Sequence, residues 1–342
     1  MNMDLLEFAK RMPKAELHVH LEGSILPRTL IKLAHRNHVS LPTDDEASLI
    51  EFYRFRNFEQ FLETYMLITS CLRTPDDYRL IAYEYGCECA RQNIRYAEVT
   101  LTIVTNMSFT GLSWQEILIG LNTGREKALK DFGVWWQWVF DIVRNDPDTQ
   151  TTVLEIALAA REMGVIALGL GGTEDGFPPE LFVETFKHAE EQHLHRVPHA
   201  GEIAGPQSVW SALKLLQAER IGHGVRSIED PVLVEYLRTN FIPLEICPTS
   251  NIRLKVYSDY AHHPLRKLWD AGLLLTINSD DPAMFGTDLN NEYILLVNEF
   301  DFSQPELEQI SLNAIQASFL SIGEKQILIK EFKDEYVELS KS

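Results

Sequence analysis

Short runs of apolar and β-branched residues alternate along the chain with longer stretches whose apolar positions return every three to four residues. The short runs fall at 15–20, 94–102, 135–143, 165–170, 196–199, 220–223, 241–246 and 273–278. Their length and composition predict strands. The stretches at 27–37, 76–92, 114–130, 151–163, 179–192, 206–218, 230–239 and 264–271 have helical spacing. The first of these opens on Pro27, whose fixed φ suits a first helical turn. A closing helical region, 303–332, starts with Ser303 three residues before Glu306, a capping-box pattern.

Strand and helix alternate eight times, which predicts an α/β protein built as a (β/α)8 TIM barrel. An open doubly wound sheet would carry a glycine-rich phosphate loop after its first strand. Here the first strand runs into Leu21-Glu22-Gly23-Ser24, so that alternative is set aside. There are no repeats and no Pro/Gly/Ser linker, and residues 1–342 read as one domain. The regular pattern is interrupted once, at 41–74, by a segment rich in aromatics: Phe52, Tyr53, Phe55, Phe58, Phe61 and Tyr65. An insertion after the first strand lands on the face where barrel enzymes work. It reads either as a packed helical hairpin or as a substrate lid.

Composition narrows the partners. With 45% hydrophobic and 24% charged residues, the chain has a globular make-up. The net charge of -19 repels nucleic acid and anionic membranes, and leaves a small-molecule substrate as the expected partner. No run approaches the roughly 18 apolar residues of a membrane span. The first eleven residues lack a signal-peptide core, so the expected location is cytoplasmic. Cys71, Cys87, Cys89 and Cys247 form no C-x-x-C pair and read as reduced thiols. Oligomeric state is not legible.

In a barrel, chemistry gathers at the carboxyl ends of the strands. The first strand ends in His18-Val19-His20, and two residues apart on a strand share a face. The fifth ends at His199, the sixth at His223, and the eighth runs into Asp280-Asp281. The other seven histidines lie in polar or helical stretches (His35, His38, His188, His193, His195, His262 and His263) and read as surface or structural. Four imidazoles and two aspartates at strand ends are costly to bury unless an ion compensates them. Three imidazoles and a carboxylate suit zinc, so His18, His20, His199 and Asp280 are the expected ligands. The fourth strand offers no lysine for a bridging carbamate, which points to one metal per chain. Zinc lowers the pKa of bound water to about 7. His223 is left to orient the resulting hydroxide, Glu202 to donate a proton, and Asp281 to hold the substrate.

These residues resemble the adenosine/adenine deaminase family of the amidohydrolase superfamily. The similar stretches are Glu16-Leu17-His18-Val19-His20-Leu21-Glu22-Gly23-Ser24, Gly171-Gly172-Thr173-Glu174, His199-Ala200-Gly201-Glu202, Arg220-Ile221-Gly222-His223-Gly224, Cys247-Pro248-Thr249-Ser250-Asn251 and Ser279-Asp280-Asp281-Pro282. They occur in the family's order and span about residues 13–319. The resemblance implies zinc-dependent hydrolysis of a cyclic amidine C–N bond, replacing the 6-amino group of an adenine-type purine with oxygen. It implies that Glu202 protonates purine N1, that His223 and Asp280 orient the hydroxide, that the Gly172 N–H meets N3 and that Asp281 meets N7.

Departures from the family pattern bear on the substrate. Animal-type adenosine deaminases carry an aspartate, which meets the ribose 5′-hydroxyl, where this chain has Glu22. Free-base adenine deaminases also carry glutamate there, but usually show histidine at the position of Phe177 and aspartate at that of Gly222. The chain looks similar to a bacterial branch that includes 6-aminodeoxyfutalosine deaminases of menaquinone biosynthesis. Arg54 and Arg56 of the insertion are then candidates to accept an aryl carboxylate, or sit in solvent. The expected substrates are adenosine, deoxyadenosine or 6-aminodeoxyfutalosine, with free adenine as the alternative. A catalytically inert binding relative would have lost one of His18, His20, His199, Glu202, His223, Asp280 or Asp281, and all seven are present.

Overall fold

The structure is a computed structural model that describes residues 3–53, 55 and 58–341. Eight strands form in chain order: β1 (Lys14–His20), β2 (Ile94–Leu101), β3 (Trp135–Val143), β4 (Val165–Gly171), β5 (His195–Ala200), β6 (Ile221–His223), β7 (Leu244–Ile246) and β8 (Leu275–Ile277). They lie side by side in the order β1 to β8, and every pair is parallel. Helices follow most of the strands and cover them, giving the (β/α)8 barrel that the alternation predicts.

The ring closes just beyond β8. The His20 N–H donates to the Asp280 carbonyl at 2.8 Å, and the Asp280 N–H donates to the His18 carbonyl at 3.1 Å. Below this, Asn278 Oδ1 accepts from the Leu17 and His18 N–H groups at 2.9 and 3.1 Å. A side-chain amide therefore continues the seam where the backbone ladder lapses, and it ties the residues before Asp280 to the strand that carries His18 and His20.

The larger apolar cluster joins the strands to the surrounding helices, with Trp136, Trp138, Phe140 and Phe186 among its largest buried side chains. A smaller cluster unites Val139, Ala167 and Val197 from β3, β4 and β5, with Phe319 packed against it. The Arg220 guanidinium lies 3.9 Å from the Phe319 ring centroid and bonds Glu98 and Glu245 at 2.5 and 2.6 Å.

Several expectations shift in detail. The run 241–246 shortens to β7 because Phe241 sits in a left-handed turn (φ 54°) and is 76% exposed. The region 303–332 is two helices, Gln304–Ala317 and Ile322–Ser340. They part because Ser321 and Glu324 form a second capping box that starts a new helix. Within 41–74 the described residues include the helices Glu46–Phe52 and Phe58–Ser70, whereas Arg54 and Arg56 lie outside the described residues. Among the described residues, no helix is long and apolar enough to cross a membrane.

Candidate metal centre

Strand ends and the closing seam bring His18, His20, His199 and Asp280 to one point. The Nε2 atoms of His18 and His20 each lie 3.4 Å from Asp280 Oδ1. The Nε2 atoms of His20 and His199 are 3.3 Å apart. One ligand atom from each of the four falls within 4.8 Å of the other three, and all four residues are buried. Burial pushes His20 down to about 4 and His199 well below the usual imidazole range. Both therefore stay neutral and offer lone pairs, which a cation requires. Burial also acts against a charge on His18, but Asp280 and Glu245 on either side raise it well above the ordinary value, which marks a position that favours positive charge. His18 Nε2 has no hydrogen-bond partner. Three nitrogens and one carboxylate oxygen, buried and converging, fit a divalent ion such as zinc.

His223, Cys247 and Asp280 also approach within 4.8 Å. Burial raises the Cys247 thiol well above its usual range, so it remains a protonated thiol and a poor ligand.

Above the cluster lies a cavity of about 520 Å³. Its floor includes His20, His199, Glu202, His223, Asp280 and Asp281, and its upper wall includes Phe58, Phe61, Leu62, Tyr65 and Met66 of the helix Phe58–Ser70. His223 Nε2 is 3.7 Å from Glu202 Oε1 and 3.8 Å from Asp280 Oδ2. Burial pushes the Glu202 carboxyl well above its ordinary value, and Oε1 has no partner. Such a carboxyl holds its proton more firmly than an ordinary glutamate, which suits a proton donor. Asp281 is also raised, by burial and by the neighbouring Asp280, and its Oδ1 is unpartnered. His223 and Asp280 hold φ at 58° and 63°. Non-glycine residues rarely adopt that region, and such strain gathers at functional sites.

Glycines make room for these groups. A Cβ on Gly23 would lie 1.8 Å from Asp281 Oδ1, and a Cβ on Gly222 would lie 3.0 Å from His18 Cε1. Gly172 borders the cavity. Glu22 does not line it. It is fully buried, and its Oε1 accepts from the Thr102 N–H and Oγ1 at 3.1 and 2.7 Å and from Asn106 Nδ2 at 2.6 Å. Thr102, which bonds Glu22, itself lines the cavity.

Several residues around the site were not picked out from the sequence. Glu245 on β7 bonds His18 Nδ1 at 2.9 Å, and Asp141 on β3 borders the cavity with its carboxyl pushed up by burial to about 8. Each is a carboxylate within a largely apolar strand run, which was the available signal. Glu174, quoted above only as part of a similar stretch, collects the N–H groups of residues 201–204. Arg144 bonds the His199 carbonyl and, at 2.8 Å, the Phe177 carbonyl. His263, read as surface or structural, is buried against Asn251.

Comparison with known proteins agrees with this geometry. The family model described as adenosine deaminase matches residues 13–335. An aminodeoxyfutalosine deaminase of Streptomyces avermitilis is 41% identical over 96% of this chain and 92% of its own length. The crystal structure of an adenine deaminase from Arthrobacter aurescens superposes with a TM-score of 0.91 at 34% identity, covering 96% of this chain and 99% of its own. A Burkholderia ambifaria amidohydrolase crystallised with bound Zn gives a TM-score of 0.91 at 27% identity, covering 100% and 95%.

Proposed function

The chain belongs to the adenosine deaminase family, and from that premise we propose that it deaminates a 6-aminopurine nucleoside with one zinc ion per chain held by His18, His20, His199 and Asp280. It is a hydrolytic deaminase acting on the C–N bond of a cyclic amidine. The observation that carries the reading is His223 Nε2 lying within 4 Å of both Glu202 Oε1 and Asp280 Oδ2, beside the four-residue cluster, with the Glu202 carboxyl raised by burial.

When bound, the ion supplies a water acidic enough to lose its proton near neutral pH. The protein groups do the rest. Glu202 donates its proton to purine N1, which lowers the electron density at C6. His223 and Asp280 hold the attacking oxygen against C6. The Gly172 N–H and Asp281 fix the ring through N3 and N7. Of the two protons the attacking water brings, one passes to the amino nitrogen and one returns to Glu202, and as the C6–N bond breaks, ammonia and the 6-oxo purine leave.

Room in the cavity supports a nucleoside. A bare purine has about ten non-hydrogen atoms and would leave much of 520 Å³ unfilled, whereas that volume suits a drug-sized ligand. The aromatic wall of Phe58, Phe61 and Tyr65 offers an apolar surface to the part of the substrate beyond the ring, and in this reading 41–74 is the lid. Glu22 acts on the sugar side through Thr102. Free adenine is the second reading. The burial of Glu22 favours it, because its Oε1 is already taken by Thr102 and Asn106.

The test is a spectrophotometric screen of adenosine, deoxyadenosine, 6-aminodeoxyfutalosine and adenine with zinc-loaded protein. Turnover of a nucleoside is expected, and turnover of adenine alone overturns the nucleoside reading. Glu202→Gln should keep its zinc and lose about 10²-fold or more in kcat. Near-normal turnover removes Glu202 from the chemistry.

A further inference from the structure

We propose that Asn251 and His263 are positioning residues that fix the tautomer of His223, so that its Nε2 carries the hydrogen presented to the cavity. This deepens the deaminase reading and rests on it for the use made of that hydrogen.

Three contacts run from a backbone amide to the site. The Leu265 N–H meets His263 Nδ1 at 3.1 Å. His263 Nε2 meets Asn251 Oδ1 at 3.0 Å. Asn251 Nδ2 meets His223 Nδ1 at 3.5 Å. Hydrogen positions on imidazoles and amides are ordinarily a matter of assignment. Here the first donor is unambiguous, because a backbone N–H can only donate.

The direction then propagates. His263 Nδ1 must present a lone pair to Leu265. Burial pushes His263 down to about 3, so it is neutral and its single hydrogen sits on Nε2. That hydrogen needs an acceptor, so the oxygen of the Asn251 amide faces it and the NH2 group faces His223. His223 Nδ1 accepts, which leaves the hydrogen on Nε2, opposite Glu202 and Asp280. Asn251 and His263 are 0% and 4% exposed, so water does not compete for these bonds.

The consequence is chemical. A His223 Nε2–H can donate to the oxygen that attacks C6 and hold it in place. The other tautomer would turn a lone pair toward that oxygen and toward two carboxyl groups. A catalytic histidine held in the wrong tautomer can lose up to about 10⁴-fold in turnover.

The first measurement is ¹⁵N NMR of the imidazoles in zinc-loaded protein, with His223 assigned from the signals missing in His223→Gln. A protonated, pyrrole-type Nε2 is expected, and a pyrrole-type Nδ1 overturns the proposal. The second uses Asn251→Asp, which has no N–H to give and asks His223 Nδ1 to donate instead. Its spectrum should show the inverted tautomer, with kcat down by about 10² to 10⁴-fold and KM within a few-fold. Inversion with unchanged kcat overturns the proposed role. Third, His263→Leu should lower kcat, and His263→Gln, which keeps one donor and one acceptor, should recover most of that loss. Equal losses in the two overturn the relay. A pyrrole-type Nε2 in a protein that turns over none of the purines supports the tautomer while sinking the deaminase reading.

Discussion

Glu245 divides its carboxylate between two buried donors: Oε2 takes His18 Nδ1 at 2.9 Å, and Oε1 takes Arg220 Nε at 2.6 Å. The first contact fixes the His18 tautomer that leaves Nε2 free for an ion, and the second holds the carboxylate in place. Glutamine has only one acceptor oxygen, so Glu245→Gln must give up one of the two bonds. Loss of such an outer partner commonly weakens metal binding by about 10–100-fold. Chelator competition should show that loss in Glu245→Gln. Unchanged affinity would mean that His18 needs no help from Glu245.

Glu174 aims the loop that carries Glu202. Its Oε1 accepts from the Gly201 N–H and Ser208 Oγ at 2.8 and 2.7 Å, and its Oε2 from the N–H groups of Glu202, Ile203 and Ala204 at 3.1, 2.7 and 2.8 Å. Glu174→Gln sets an amide NH2 against some of these donors. The expected result is a drop in kcat of up to about 10²-fold from a misplaced Glu202, a lower melting temperature, and full zinc content. Wild-type kcat with a lowered melting temperature would make Glu174 purely structural.

Glu292 should make stability depend on pH. It is fully buried, accepts from the Thr249 N–H at 3.1 Å and Thr287 Oγ1 at 2.5 Å, and burial pushes its carboxyl from 4.5 up to about 7. Between pH 4.5 and 7 the native protein binds a proton that the unfolded chain does not, so this contribution to stability is present at low pH and lost as pH rises through 7. Glu292→Gln removes the titration. From pH 5 to pH 8 the wild type should lose about 2 kcal/mol relative to the variant in urea unfolding. A pH-independent difference would show that Glu292 does not titrate in this window.

How much could be read before folding differs by residue. His18 and His20 are legible because they close a strand two residues apart, and His199 and His223 because they end short runs. Glu245 and Asp141 were visible only as carboxylates inside apolar runs, and nothing local distinguishes a useful buried charge from a misread strand. His263 was not legible at all. It sits in a loop beside His262, which is exposed, and the two differ only in what the fold packs against them.

The sequence determined the repeating strand and helix order, because hydrophobic periodicity is a local property. Through the identities at strand ends it also determined which atoms were available for a metal. Tertiary structure alone decided which atoms meet. The 3.4 Å approach of Asp280 to His18 depends on a barrel closing between residues more than 260 positions apart. It also decided that burial raises the Glu202 carboxyl, that Glu22 turns an oxygen to Thr102 and that Asn251 approaches His223. Burial and hydrogen-bond direction are set by neighbours in space, and the order of residues along the chain does not carry them.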